Sequence, residues 1–397
     1  MAQGHHGVVH EFLHACGKHL MAESGDHLEE LAPWGVSAGT FDVRAALHAA
    51  HEATAAGSKR AADCSECLRR LREVCVVAFS GEEFRLKPFD WAPDVRLEPF
   101  GATEQGTALW ISDLDVRMTF EQFIVRNRED QLRYLRAVEA APGDHFEALS
   151  IIPASTPILR MRFEKHLLVD LTMGHEMEGG AEADRIVRDL LAAGEGDGAI
   201  RFVRLVKAFA KSHGLVNAYG GFLNSISWVF LAACFLQLEG CLHSYQDLED
   251  GIQRKRLWLV DLTAGLFLRF FAFMESIGER PHLISSASGK CQRLRGRTNS
   301  GGRAPPLRVE LPGYVGSNLA QCLNWSGWRT TITCCAQARC LLEEMDKQNF
   351  QSVVGQLFAT GNGAASALAL RDASALIEAL PDAKRCRTSY GIAIEKK

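Results

Sequence analysis

Two aspartates separated by one residue, Asp113 and Asp115, follow a glycine-containing turn in residues 100–115. Side chains of a β-strand alternate between its faces, so residues i and i+2 point the same way. We therefore expect both carboxylates on one face, close enough to share divalent cations. Hard cations such as Mg²⁺ prefer oxygen ligands and usually bring substrate phosphates with them. The spacing predicts a metal-dependent enzyme that acts on a nucleoside triphosphate.

A third acid, Asp170, interrupts an otherwise apolar strand pattern at residues 167–171. An acid in a buried strand is costly unless it is paired or bound to a metal ion. We therefore predict that Asp170 is the third carboxylate of the same site.

The secondary structure predicted to position these acids is a mixture of strands and helices, and it is followed by a helical region. Residues 95–100, 108–118, 151–152, 158–163 and 167–171 are predicted strands, and residues 61–79 and 120–141 are predicted helices. After about residue 184 the pattern is almost wholly helical, with helices predicted at residues 199–213, 223–238, 257–276 and 328–345. Residues 285–306 are rich in Ser, Gly, Arg and Pro and are predicted to form a loop.

The composition indicates an ordinary globular chain. Its 397 residues favour two or three domains, and its net charge of −4 restricts any nucleic-acid contact to local basic patches. No apolar run reaches the roughly 20 residues that span a bilayer, so we expect no membrane partner. The 12 scattered cysteines and the lack of a secretory signal pattern favour the cytoplasm, with mitochondrial or nuclear localisation left open.

Three blocks of residues stand in the order and spacing of a known family. The first block contains Phe100, Gly101, Gly106, Ser112 and the three aspartates. The second contains residues 205–211, with Lys207 and Lys211 one helical turn apart, and residues 221–225. The third runs from residues 309–312 through residues 318–320. The chain resembles the terminal nucleotidyltransferases of the DNA polymerase β superfamily, which include terminal uridylyltransferases and poly(A) polymerases.

This resemblance covers roughly residues 61–345 and implies an α+β fold. It implies a polymerase-β-like nucleotidyltransferase palm, which is a small mixed sheet with helices, followed by a helical PAP-associated domain. We expect an N-terminal extension at residues 1–60, the palm at residues 61–178, the helical domain at residues 179–350 and a C-terminal tail at residues 351–397.

The resemblance also implies two-metal catalysis of nucleotide addition to an RNA 3′ end. Asp113 and Asp115 would bind both Mg²⁺ or Mn²⁺ ions, and Asp170 would bind the ion near the primer. The nucleoside triphosphate, ATP or UTP, would lie against the residues of the three blocks, which are Gly101, Ala102, Ser112, Lys207, Lys211, Ser225, Ile226 and Ser317.

The chain departs from the family pattern where base and phosphate are recognised. Ala102 stands in place of a serine whose hydroxyl contacts the triphosphate, and Thr103 or backbone amides are candidates to replace it. Ile226 stands in place of a tyrosine that stacks on the base. Ser317 stands in place of the histidine that gives uridine preference, and Leu311 and Tyr314 replace two acids. We therefore favour adenylate addition, or a relaxed preference that includes uridylate.

RNA contacts are predicted in residues 290–308, which carry Arg293, Arg295 and Arg297 and no acid. A basic linker without that role is the alternative. No RNA-recognition motif is present, so RNA selection could need a protein partner. Two other functions stay open. One is a catalytically impaired relative that binds RNA or protein, and the other is a different branch of the superfamily, such as an oligoadenylate synthetase.

Overall fold

The structure is a computed structural model. It describes residues 51, 55, 57–85, 93–125, 127–141, 143–153, 156–174, 180–194, 196–252, 260, 264–278, 280–294, 305–314, 316–344, 353 and 356–358. The chain divides into two compact units, Thr54–Leu191 and a unit drawn from Met1–Ala53 and Ala192–Lys397. Nearly all of the expected N-terminal extension and C-terminal tail lies outside the described residues, and the predicted domain boundaries stay predictions.

The first unit is built on a five-stranded sheet. Its strands are β1 (Val95–Phe100), β2 (Leu114–Phe120), β3 (Phe146–Ile152), β4 (Ile158–Phe163) and β5 (Leu167–Met173). They stand in the order β1-β2-β5-β4-β3. Strands β2 and β5 are parallel, and the other neighbouring pairs are antiparallel. This small mixed sheet confirms the predicted α+β fold class.

Three helices accompany the sheet: α1 (Ser58–Ala78), α2 (Arg128–Ala140) and α3 (Gly180–Ala192). Helix α2 begins later than the predicted residue 120, because β2 continues to Phe120 and the Asn127 side chain caps the helix by accepting from the Asp130 N–H at 2.8 Å. Cys67, Leu71 and Val74 lie at helical spacing on α1 and are buried in the core of the sheet.

Strand alternation in β2 and β5 directs the acids away from this core. Leu114 and Val116 in β2, and Val169 and Leu171 in β5, are fully buried in one hydrophobic cluster. The intervening residues on each strand point to the opposite face of the sheet. The central strands therefore present polar side chains on the face that the core does not use.

The second unit contains both helices and a small sheet. Its helices are α4 (Gly198–Ser212), α5 (Ser225–Leu238), α6 (Tyr245–Glu249), α7 (Ala264–Gly278) and α8 (Trp325–Glu343). Its strands are β6 (His282–Ser285), β7 (Lys290–Arg293) and β8 (Leu307–Glu310), in the order β7-β6-β8. The loop predicted at residues 285–306 is therefore wrong where β7 lies. Because β7 is a short, mostly exposed edge strand, its polar sequence carries no strand pattern.

Helix α5 is the centre of the second unit. Every side chain from residue 227 to residue 237 is buried, so the helix is surrounded by protein rather than half exposed. Phe235 of α5 packs against Phe202 of α4 and Phe270 of α7, with ring centroids 5.7 and 5.4 Å away. In the described part of the chain, no helix is both long and apolar enough to cross a membrane.

Candidate active site

The glycine turn that follows β1 is shaped by two left-handed glycines, Gly101 with φ of 64° and Gly106 with φ of 70°. The Thr107 N–H closes the turn by donating to the Ala102 carbonyl at 2.9 Å. A Cβ atom on Gly101 would lie only 2.7 Å from Oδ2 of Asp115. Glycine is therefore required at residue 101 for two reasons, because a side chain would strain the backbone and would also displace the carboxylate.

The missing serine hydroxyl at Ala102 is not directly replaced by its neighbour. Oγ1 of Thr103 is buried and makes no hydrogen bond. A ligand could reach that hydroxyl only after the Thr103 side chain rotated. As placed, this part of the turn can offer a phosphate group only backbone donors.

Asp115 and Asp170 lie opposite each other on the parallel strands β2 and β5. Asp115 is half-buried, whereas only 6% of Asp170 is exposed. Asp113 lies just before β2, so a turn rather than strand alternation determines where it points. The strand predicted over residues 108–118 begins only at Leu114.

Arg160 on the adjacent strand β4 engages the most buried of the three acids. Its Nε and Nη2 donate to Oδ1 and Oδ2 of Asp170 at 2.8 and 2.6 Å. This hydrogen bonding, reinforced by the negative charges of Asp170, Asp113 and Asp115, raises the pKa of Arg160. Arg160 therefore bonds directly to Asp170, which lies opposite Asp115 in the sheet.

The turn that carries Asp113 is held from two sides. The Ser112 hydroxyl is buried and accepts from the Leu109 N–H at 3.0 Å, so this side chain shapes the turn. Arg60 of α1 donates to the carbonyl oxygens of Trp110, at 2.9 Å, and of Ser112. Its Nη2 also lies 3.4 Å from the Asp113 carbonyl. The sequence analysis missed Arg60, because its partners are backbone atoms some 50 residues further along the chain.

Lys207 and Lys211 lie one turn apart on helix α4, as their spacing predicted. Only 1% of Lys207 is exposed, whereas Lys211 is half-buried. Residues 205–210 are all buried, so Lys207 lies among buried neighbours, which its residue type does not predict.

Ser225 is the first residue of α5, and Asn224 caps this helix by accepting from the backbone N–H and the hydroxyl of Ser227 at 2.9 and 2.6 Å. The Asn224 amide also donates to the Leu319 carbonyl at 3.0 Å. Ile226 follows Ser225 and is half-buried. One asparagine therefore joins the predicted phosphate-binding helix start to the predicted base-recognition stretch.

Ser317 has a defined role in the shape of that stretch. Its hydroxyl accepts from the Leu311 N–H at 2.9 Å. The neighbouring Asn318 side chain accepts from the N–H groups of Val309 and Ala320 at 3.1 and 3.0 Å. These bonds hold residues 311, 317, 318 and 320 close to the end of β8.

Comparison with known proteins supports the palm assignment. Residues 85–178 match the family described as poly(A) RNA polymerase, mitochondrial-like, central palm domain. Residues 85–178 are therefore similar to an mtPAP-like palm. A search of curated proteins finds no match to its sequence.

Solved terminal nucleotidyltransferases share the fold of the chain at low sequence identity. The crystal structure of mtPAP in complex with UTP is 13% identical, with a TM-score of 0.61 over 80% of this chain and 73% of that one. The structure of a cytoplasmic RNA terminal U-transferase is 17% identical, with a TM-score of 0.57 over 79% of this chain and 97% of that one. The Cid1 poly(U) polymerase, solved with Mg and 3′-dATP, is also 17% identical, with a TM-score of 0.57.

The acids of the mtPAP-like palm fit a divalent cation in donor type. The three carboxylates offer only oxygen ligands, and their negative charges already stabilise the positive charge of the Arg160 guanidinium. As placed, both oxygens of Asp170 are bonded to Arg160. Among the described residues, no group of three or more His, Cys, Asp or Glu side chains is arranged to hold a metal ion. A cation that used Asp170 would therefore share these oxygens with Arg160 or displace it.

The predicted RNA contacts fall only partly within the described residues. Arg293 is exposed at the end of β7. Arg295 and Arg297 lie outside the described residues. Arg308 on β8 lies 3.7 Å from the carboxylate of Glu310, so one of the basic side chains in this region is already close to an acid.

Proposed function

We propose that the protein is a template-independent RNA 3′-terminal nucleotidyltransferase that adds nucleotides from a nucleoside triphosphate. Adenylate addition is favoured, or a relaxed preference that includes uridylate. The observation that carries the proposal is the position of Asp115 opposite Asp170, directly beside the Gly101 turn of an mtPAP-like palm. A fold can host several chemistries, so the acids and the turn, rather than the fold alone, support this activity.

Asp113, Asp115 and Asp170 would hold Mg²⁺ or Mn²⁺, which when bound would activate the RNA 3′ hydroxyl and neutralise the charge of the leaving pyrophosphate. The residues of the chain would position the triphosphate. The absence of a side chain at Gly101 lets the Asp115 carboxylate approach the turn that is proposed to bind the triphosphate, since a Cβ there would lie 2.7 Å from Oδ2 of Asp115. The bond that forms joins the 3′ oxygen to the α-phosphorus, and the bond that breaks releases pyrophosphate.

Lys207, Lys211 and Ser225 are proposed to hold the β- and γ-phosphates. Two lysines one turn apart can reach the same anion, and a helix start favours bound phosphate. Positioning and charge neutralisation contribute much of the rate in phosphoryl transfer, because the protein takes little part in covalent chemistry there.

The base preference is proposed from Ser317 and Ile226. Ser317 lies where uridylyltransferases have a selective histidine, and its hydroxyl already accepts from the Leu311 N–H. Ile226 can cover the face of a base but lacks an aromatic ring, and aromatic stacking is worth about 1–3 kcal/mol per base. Both features support adenylate addition or relaxed choice over strict uridine selection.

RNA is proposed to contact Arg293, Arg295 and Arg297 through its phosphates, with a protein partner for RNA selection. Phosphate contacts from these arginines would make binding sensitive to salt. A cytoplasmic location is proposed from the cysteine usage, and mitochondrial or nuclear locations are alternatives.

Primer extension tests the proposal. Purified full-length protein is incubated with a single-stranded RNA primer, each of the four nucleoside triphosphates in turn, and Mg²⁺ or Mn²⁺. We expect extension with ATP at least as fast as with UTP, and loss of extension in Asp115→Ala. Asp144→Asn changes an exposed acid that lies away from the three aspartates along the chain, and it is the matched control.

Three results would contradict the proposal. Extension that survives Asp115→Ala would remove the proposed metal site. Extension with UTP far faster than with ATP would contradict the base preference. An inactive wild-type protein that still binds RNA would support the binding-only function.

A further inference from the structure

Asp184 on helix α3 is a buried carboxylate that contacts the glycine turn. Only 3% of Asp184 is exposed. Its Oδ2 accepts from the Gly101 N–H at 2.7 Å, and its Oδ1 accepts from Nε2 of Gln105 at 2.7 Å. One side chain therefore binds the turn at two points, across a sequence separation of about 80 residues.

The contact continues into the turn as a chain of buried polar groups. The Thr107 hydroxyl, which is fully buried, donates to Oε1 of Gln105 at 3.1 Å. Burial raises the pKa of Asp184, while the hydrogen bonds from Gln105 and Gly101 and the charge of Arg117 oppose that rise. A buried carboxylate with unmade hydrogen bonds is costly, so the turn and the carboxylate stabilise each other's position.

The backbone that Asp184 binds at Gly101 is also the backbone that lies against the Asp115 carboxylate. Asp184 holds the Gly101 backbone, and the Gly101 Cα faces Oδ2 of Asp115. A shift of the turn toward Asp115 would therefore move that carboxylate, because no space separates them. A shift away would open the surface that the triphosphate is proposed to use.

We infer that Asp184 is a positioning residue that holds the turn of residues 101–106 in the conformation that binds the nucleoside triphosphate. The inference rests on the proposed function and adds to it a residue that does not itself touch the reacting atoms. Its side chain acts through the Gly101 amide and the Gln105 side chain.

The same helix offers a matched control. Arg188, one turn after Asp184, forms an ion pair with Glu104 of the same turn. Both side chains of this pair are largely exposed, at 47% and 42%. Exposed ion pairs contribute little, so Arg188→Gln removes a contact between the same two elements without removing the buried one.

Two substitutions of Asp184 separate hydrogen bonding from charge. In Asp184→Asn, the amide oxygen can still accept from the Gly101 N–H. Gln105 can then rotate its amide by half a turn, so that its oxygen accepts from Asn and its NH₂ donates to the Thr107 hydroxyl. The asparagine variant therefore keeps the connection between α3 and the turn without the charge, whereas Asp184→Ala loses the connection.

Hydrogen exchange of the full-length chain measures the protection of the amides in the turn and does not require catalysis. In Asp184→Ala we expect the amide exchange of the peptide that covers residues 100–107 to rise about tenfold or more, as a hydrogen bond to a charged group is lost. We expect Asp184→Asn to recover most of this protection and Arg188→Gln to match the wild type.

Primer-extension kinetics with ATP report on nucleotide binding in the same variants. We expect the KM for ATP to rise about tenfold in Asp184→Ala, with a smaller fall in kcat, and Asp184→Asn to recover most of the loss. A thermal melt identifies general unfolding. If Asp184→Ala does not fold, Gln105→Ala removes half of the contact, and a smaller change of the same kind is expected.

Two results would overturn the inference. One is unchanged exchange at residues 100–107 in Asp184→Ala. The other is an Asp184→Asn variant with native-like exchange whose KM and kcat are as impaired as those of Asp184→Ala, which would assign the effect to charge instead. If the wild type transfers no nucleotide, the proposed function fails, and the exchange result still decides whether Asp184 holds the turn.

Discussion

Arg160 and Asp170 are joined by two hydrogen bonds across neighbouring strands, with Nε and Nη2 donating to the two carboxylate oxygens. The Asp170 side chain is 9% exposed and the Arg160 side chain is 37% exposed, so the pair has one buried and one accessible member. A divalent cation that used Asp170 would compete with Arg160 for the same oxygens. The pair therefore couples metal binding to the stability of the palm.

Replacing Arg160 with Gln is expected to lower stability without metal and to increase the response to metal. The substitution leaves a nearly buried carboxylate without its charged partner, which costs about 1–3 kcal/mol of unfolding free energy. A divalent cation restores the missing positive charge, and it binds without repulsion from a neighbouring guanidinium. Thermal melts without MnCl₂ and at increasing MnCl₂ concentrations should show a larger rise of the melting midpoint in Arg160→Gln than in the wild type.

Arg162→Gln is the control for this comparison. Arg162 lies on the same strand and pairs with Glu147 at 3.0 Å, but both side chains are largely exposed. We expect its melting midpoint and its response to MnCl₂ to match those of the wild type. An identical metal response in Arg160→Gln would show that the cation does not use Asp170.

Gly101→Ala and Gly106→Ala separate backbone strain from displacement of Asp115. Both glycines have positive φ, so either substitution costs about 1 kcal/mol or more of stability. A Cβ on Gly101 would lie 2.7 Å from Oδ2 of Asp115, whereas a Cβ on Gly106 would meet nothing within 4 Å. We therefore expect similar losses of stability in urea unfolding, but a much greater loss of primer extension in Gly101→Ala. Equal losses of extension would disprove the importance of the close approach.

Arg60→Ala is expected to loosen the turn that carries Asp113. The guanidinium donates to the carbonyl oxygens of Trp110 and Ser112, and a smaller side chain cannot reach both. Loss of these bonds should lower kcat of primer extension about tenfold, and Arg60→Lys should recover part of it, because an ammonium lacks the planar fork. Arg72→Ala changes an exposed arginine of the same helix and serves as the control. Equal kcat in Arg60→Ala and Arg72→Ala would rule out this role.

His213 at the end of α4 is expected to make stability depend on pH. Burial lowers its pKa, although its bond to the Phe209 carbonyl opposes this shift. A histidine with a lowered pKa in the folded state contributes stability above its unfolded pKa of about 6.5, and this contribution is lost as the pH falls toward the lowered value. Urea unfolding at pH 8 and pH 5.5 should therefore show a larger loss for the wild type than for His213→Gln. Equal losses would contradict the assignment.

Much of the fold could be predicted from apolar periodicity. The helix predicted at residues 199–213 is observed at Gly198–Ser212, and the strands predicted at residues 95–100 and 158–163 are observed with the same bounds. Strand alternation also explains why Asp170 leaves the core although its neighbours are buried. These features depend on short-range patterns, which a single sequence displays directly.

The polar contacts could not be predicted in this way. The bond between Arg160 and Asp170 depends on the register of β4 against β5, and the bond between Asp184 and Gly101 joins residues 83 positions apart. Lys207 is buried although lysine is rarely buried, so its residue type gave no sign of this environment. Sequence spacing predicts which residues share a face, but not which distant group each one meets.

The most direct test of the shared metal site is anomalous scattering from Mn²⁺ in crystals of the full-length chain with a non-hydrolysable ATP analogue. The account predicts a manganese peak in contact with the carboxylates of Asp113 and Asp115, with the triphosphate beside the Gly101 turn. It also predicts that any peak in contact with Asp170 is accompanied by longer distances between Arg160 and Asp170, because the two cations repel each other. Manganese bound elsewhere, with these carboxylates empty at saturating Mn²⁺ and nucleotide, would contradict it.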